Sequence, residues 1–206
     1  MTYKDVLNKY KKNDGAKNML TPLVEENKIL LIHGESGAGK TVYAIKHLNE
    51  NGIIPLLLDL DDNEAEELES LGCKCDMVDG YAMIEAMEDE DVDALKGKVV
   101  IIDTWTLFWS EIGDETLAHQ VLKNMCAKGV TVIVAAHTTP YSGKEDKPQM
   151  LDEIYRHIKG RLYVRKTTLK NMVEYHLLVE KVRGYKGTKI ELIRSDSAEV
   201  PDKKKK

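Results

Sequence analysis

The residues best suited to chemistry stand close together: Gly34-Glu35-Ser36-Gly37-Ala38-Gly39-Lys40-Thr41 fits the pattern G-x-x-x-x-G-K-[ST]. Each residue type has a job on a polyphosphate. Glycines admit backbone torsions closed to other residues, so several N–H groups can turn toward one anion. A helix opening near Gly39 adds the positive end of its dipole. The Lys40 ammonium is spaced to meet the β- and γ-phosphates, and the Thr41 hydroxyl to ligate Mg2+. The ligand this predicts is ATP with magnesium.

A second carboxylate belongs with the first set. Val99-Val100-Ile101-Ile102-Asp103 is an apolar run closed by an acid. In open α/β sheets, ligands bind at the carboxyl ends of buried strands. Asp103 is therefore expected to share the magnesium with Thr41, through water.

These residues need a scaffold, and the surrounding pattern supplies one. Ile29 to Ile32 form a short apolar run that stops before Gly34, as a strand buried on both faces would. Helical spacing from Val42 to Leu48 leads to the run Ile53 to Leu58. An acidic helix, Asn63 to Leu71, leads to a short strand around Cys75 to Val78, and a helix from Tyr81 leads to Val99. Glu115 to Ala127 then leads to Val130 to Ala136. This alternation predicts βαβ units and a parallel sheet with helices on both faces. After residue 160 it stops. Leu162 to Val164, Val173 to Val182 and Thr188 to Ile193 are predicted as consecutive strands in an antiparallel extension. The fold class is α/β, with a mainly parallel twisted sheet and antiparallel carboxy-terminal strands. Residues 1–27 are expected to form a short helix and linker, and 28–194 the core. Residues 195–206, ending in four lysines, are expected to be a disordered tail.

Bulk properties narrow the function classes. The chain has 206 residues, 42% hydrophobic and 32% charged, which suits one globular domain that needs no disulfide staple. A net charge of −5 argues against a surface dominated by nucleic-acid affinity, though a local basic loop can still bind. Cys73, Cys75 and Cys126 are read as reduced thiols, and the scattered histidines predict no zinc site. The amino terminus lacks a signal peptide's apolar core and no run approaches membrane-spanning length. The expected compartment is the cytoplasm, the host cytoplasm if the chain is viral.

On these motifs the chain resembles the RecA/DnaB/KaiC-type branch of P-loop ATPases, from about Lys28 to Ile193. Leu57-Leu58-Asp59-Leu60-Asp61 resembles the stretch in which an acid beyond the second strand polarises the attacking water. The resemblance assigns that role to Asp61, with Asp59 second, although the family usually has glutamate. Val132 to Thr138 is similar to the strand whose polar end senses the γ-phosphate, which implies a sensor role for His137. Val179 to Gly187 resembles the K-x-R-x-G segment of DnaB-type members, except that glycine follows Arg183 directly. By that resemblance Lys181 and Arg183 reach a neighbouring subunit's γ-phosphate, in a homo-oligomeric ring or filament.

The same likeness implies single-stranded nucleic acid, DNA first, as a partner for the segment Thr138 to Met150. There Tyr141 is suited to stack on a base while Lys144 and Lys147 meet phosphates, with Glu145 and Asp146 opposing them; a plain mobile loop is the alternative. Trp105, Phe108 and Trp109 share a helical face, which suits core packing first and subunit contact second. The implied function is a magnesium-dependent ATPase acting on single-stranded DNA in viral-type recombination or replication. A hexameric helicase or genome-packaging translocase, and a nucleotide-gated scaffold, are the alternatives.

Overall fold

The computed structural model describes residues 29–63, 65–87, 92, 95–139, 147–158, 160–168, 172–181 and 190–197. The expected amino-terminal helix and linker (1–27) and the residues after 197 lie outside them. Strand β1 (Ile29–Gly34) feeds helix α1 (Lys40–Glu50), followed by β2 (Leu56–Asp59), α2 (Ala65–Ser70), β3 (Asp76–Asp79) and α3 (Gly80–Met87). Next come β4 (Val99–Asp103), α4 (Trp105–Ile112), α5 (Glu115–Ala127), β5 (Thr131–Thr139) and the two-residue β6 (Lys147–Pro148). The chain continues through α6 (Asp152–His157), β7 (Gly160–Thr168), β8 (Met172–Lys181) and β9 (Ile190–Ser197).

The strands make one sheet in the order β3-β2-β4-β5-β1-β7-β8-β9, with β6 paired to β5 off that path. From β3 through β7 every neighbour is parallel. β8 and β9 add antiparallel pairs. The expected α/β class and antiparallel carboxy-terminal strands are both present. One expectation needs correction: β7 belongs to the parallel set, pairing with β1. The short helix α6 returns the chain to the starting edge of the sheet before β7 begins, as a parallel connection requires. β9 continues to Ser197, past the expected core boundary at 194.

Each central strand is apolar along its length because helices cover both faces of the sheet. Leu30, Ile32, Leu57, Ile101, Ile133 and Ala135 point to one layer, where Ala44, Ile45 and Leu48 of α1 meet them. Their alternates Leu31, Leu58, Val100, Ile102, Val132 and Val134 point to the other, against α4 and α5. In α5, Ala118, Leu122 and Met125 fall on one face at helical spacing and are buried. Asp114 caps that helix by accepting from the Leu117 amide at 2.7 Å. Trp105 and Phe108 of α4 are fully buried and Trp109 packs against them, the core reading of that aromatic trio. Among the described residues no helix is long and apolar enough to cross a membrane.

Candidate functional site

Four parallel strands carry their carboxyl ends to one rim. In register, Asp59 of β2 pairs with Asp103 of β4, Asp103 with Ala135 of β5, and Gly34 of β1 with His137 of β5. Every chemically able side chain on this rim follows from where a strand stops.

The phosphate loop turns between β1 and α1. Gly37 and Gly39 take positive φ, 69° and 78°, a backbone that lets successive amides face one anion. Gly34 is constrained differently. A Cβ there would run into the carbonyl oxygen of Val164 on β7, so close strand approach, and not torsion, demands glycine. Gly39 caps α1 with no side-chain hydrogen bond, and the first turn holds no acid. That leaves the opening amides and the dipole of α1 to an anion.

Lys40 and Thr41 open α1 and are buried. The Lys40 ammonium donates to the Glu35 carbonyl at 3.0 Å and lies 3.3 Å from His137 Nδ1. Burial lowers its pKa, against the opposing pull of Asp103 and Asp61. Thr41 donates its hydroxyl proton in a short hydrogen bond to Asp103 Oδ2. Asp103 is 5% exposed and is followed by a cis peptide bond to Thr104. Burial pushes its carboxyl pKa up, more than Thr41, the Lys40 charge and Asn63 pull it down. A buried carboxylate held short of full compensation, beside a hydroxyl, suits a hard divalent cation. Among the described residues no three His, Cys, Asp or Glu side chains converge on a metal position. Thr41 and Asp103 are two oxygen donors that could hold a divalent cation together with phosphate and water.

Beyond β2 the chain makes a tight loop organised by Asp59. Its carboxylate accepts from the Asp61 amide at 3.3 Å, the Asn63 amide at 2.9 Å and the Asn63 side chain at 2.6 Å. Those bonds use Asp59 to shape the loop and leave Asp61 facing the site. Asp61 Oδ2 lies 3.9 Å from His137 Nε2, with half the Asp61 side chain open to solvent. Burial and the Lys40 charge lower the His137 pKa, so the ring is neutral near pH 7. Because an ammonium can only donate, His137 Nδ1 accepts from Lys40 and the ring proton sits on Nε2, facing Asp61.

The fold thus gathers Lys40, Thr41, Asp61, Asp103 and His137 at one rim, with Gly34 to Gly39 forming the loop beneath. Lys181 is not among them. It ends β8 opposite Arg161, which pairs with Leu31, three residues before Gly34 along β1. Lys147 lies in β6 opposite Thr139. Arg183, Tyr141 and Lys144 fall outside the described residues. Asn63, expected only as a helix start, is a site residue as well: its amide bridges Asp59 and, at 3.4 Å, Asp103 Oδ2. A polar side chain between an acidic strand end and a helix was the only signal for it.

No family model matches the sequence, and no curated protein matches it either. Solved structures do. The KaiC-like protein PH0186 from the hyperthermophilic archaeon Pyrococcus horikoshii OT3 superimposes with a TM-score of 0.53 at 18% identity. The match covers 81% of this chain and 85% of that one. With the phosphate loop, the strand order and this likeness in hand, the chain has the RecA-like P-loop fold.

Proposed function

We propose that the chain is a magnesium-dependent ATPase that works on single-stranded nucleic acid, DNA first, in recombination or replication of viral type. One observation carries the catalytic part: residues from four strand ends meet as a connected set, Thr41 with Asp103, Lys40 with His137, and His137 with Asp61. That set contains the parts phosphoryl transfer needs, a cation for the phosphates, oxygen donors for the metal and a carboxylate for the water.

In this mechanism the loop amides and Lys40 grip the β- and γ-phosphates, the ammonium leaving the neutral His137 ring for a charged acceptor. Thr41 and Asp103 hold the metal, which neutralises charge on the phosphate oxygens when bound. Asp61, on its Asp59-braced loop, orients the attacking water and accepts its proton. His137, neutral with its proton on Nε2, hydrogen-bonds the terminal phosphate and loses that partner once the phosphate departs. Its carbonyl already accepts from the Gln149 amide at 2.8 Å, which supports a role in passing phosphate status to the segment carrying Lys147. Tyr141, Lys144 and Lys147 are the strand-binding residues of this reading.

Lys181 stands away from its own chain's rim, which supports a role for it and Arg183 on a neighbour's nucleotide in a ring or filament. Measuring ATP hydrolysis with and without single-stranded DNA at low salt tests the proposal. Magnesium-dependent turnover that DNA stimulates is expected. Turnover indifferent to DNA would remove the nucleic-acid part, and Lys40→Ala with undiminished turnover would remove the catalytic part. Electron microscopy with ATP and DNA separates a recombination filament from the closed ring of a helicase or packaging motor.

A further inference from the structure

Immediately before the phosphate loop, β1 carries a histidine where every earlier residue is apolar. His33 is fully buried. Its Nδ1 lies 3.2 Å from the hydroxyl of Thr138, the residue after His137. The two strands run in register there, Gly34 opposite His137. Strand alternation then separates the roles: His137 faces Lys40 and Asp61, while Thr138 turns to the opposite face with Val134 and Ala136. Adjacent residues of β5 are thus held from the two faces of the sheet.

The His33 ring is fixed from other sides too. It stacks on Tyr163 of β7, centroids 5.0 Å apart, and meets the Tyr155 ring of α6 edge-on at 6.4 Å. Arg161 lies 4.0 Å over that Tyr155 ring and donates to the Tyr155 carbonyl. On the far side of His137, Thr139 and Thr138 pair with Lys147 and Pro148. The Leu151 amide donates to Glu115, whose same oxygen accepts from Trp105. A shift of the β5 backbone at His137 therefore works against the bond between His33 and Thr138 while it moves the carbonyl that accepts from Gln149.

We propose that His33 is a positioning residue: through Thr138 it holds the end of β5, and so His137, in register with the phosphate loop, and it sets how readily the phosphate signal passes to residues 147–151. This rests on the reading of His137 as the phosphate sensor. A histidine serving only as a satisfied core residue would affect stability and nothing else, and this difference is measurable.

Thr138→Val removes the hydroxyl and keeps the shape; Thr138→Ser keeps the hydroxyl; His33→Phe keeps the ring stacking. Thr138→Val should lower kcat about fivefold, the factor of one typical hydrogen bond, with KM for ATP within about twofold of the parent. Thr138→Ser should restore kcat, and combining Thr138→Val with His33→Phe should cost clearly less than the product of the two single effects. Hydrogen exchange at the peptide carrying Gln149 reads the same coupling without turnover. Its difference between an ATP analogue and ADP should persist in the Ser variant and vanish in the Val variant. The proposal is overturned if Thr138→Val leaves both readouts unchanged, if Ser is as impaired as Val, or if the single effects multiply. His137→Ala in the same series separates the two readings. Loss with His137→Ala but not with Thr138→Val defeats the positioning role alone, and no loss with His137→Ala defeats the sensor and this role together.

Discussion

Replacing Asp103 by asparagine should affect the resting and the nucleotide-loaded protein in opposite ways. In the resting fold the carboxylate is buried, and burial outweighs the help of Thr41, Lys40 and Asn63, so its charge is a net cost. Asparagine keeps an oxygen to accept from Thr41. Exchanging a charged for a neutral acceptor forfeits about 1 kcal/mol, and removing the buried charge offsets it. The resting melting temperature should stay within about 4 °C of the parent, since 1 kcal/mol is worth about 2–4 °C at this size. On the proposed reading the loaded state loses a metal ligand, worth about 3 kcal/mol at the low end for stripping a buried charge of its partner, hence about 100-fold in affinity. With Mg2+ and a nonhydrolysable ATP analogue at about 100 times the parent Kd, binding stabilises the parent by about 2.7 kcal/mol, or roughly 5–11 °C. The variant, then near its own Kd, should rise by only about 1 °C. Scanning calorimetry with and without ligand makes the comparison. A variant that unfolds far below the parent without ligand, or that keeps the full magnesium-dependent rise, would refute the reasoning.

Four further outcomes follow from the geometry. Asp61→Asn should lower kcat by about 100-fold or more, as loss of a general base does, with stability nearly unchanged at so exposed a position. Asp59→Asn should instead lower stability by about 1 kcal/mol through its loop bonds, so equal unfolding midpoints for the two in urea would contradict the division of roles. Gly34→Ala should destabilise by about 1–3 kcal/mol from overpacking against β7, whereas a loss of nucleotide binding with unchanged melting would count against a steric cause. For His137, whose pKa is lowered in the fold, unfolding takes up a proton below the ordinary histidine pKa. The parent should therefore lose stability relative to His137→Gln as pH falls through about 6.5, and unfolding curves that stay parallel across that pH would exclude the shift.

What the sequence made legible was whatever short-range pattern dictates. The phosphate loop is one unbroken motif, and its spacing alone announced the glycine turn from β1 into α1 and the place of Lys40 at the helix start. Asp103 was readable because an apolar run long enough for a buried strand ends on it. The direction of β7 was not, because strands of either sense look alike, and the six-residue α6 carries too few turns to announce a crossover. Asn63 escaped because its partner Asp103 is 40 residues away. His33 escaped for a stronger form of the same reason: its partner Thr138 is 105 residues distant, and nothing local marks a polar residue at a strand's end as paired. Asp61 and Asp59 were told apart only by the loop, where the Asp59 carboxylate turns inward to backbone amides.

The obstacle facing a side chain at position 34 is a main-chain oxygen, that of Val164. Main chain is shared by all residue types, so shrinking position 164 to alanine or glycine would clear no room. A suppressor screen begun from Gly34→Ala should yield nothing at its nearest neighbour, and revertants should come from changes that slide β7 bodily outward. The first residue of the loop is thus fixed by the sheet's spacing, independently of any ligand, and drift at this position is closed even to a copy of the protein that no longer binds nucleotide.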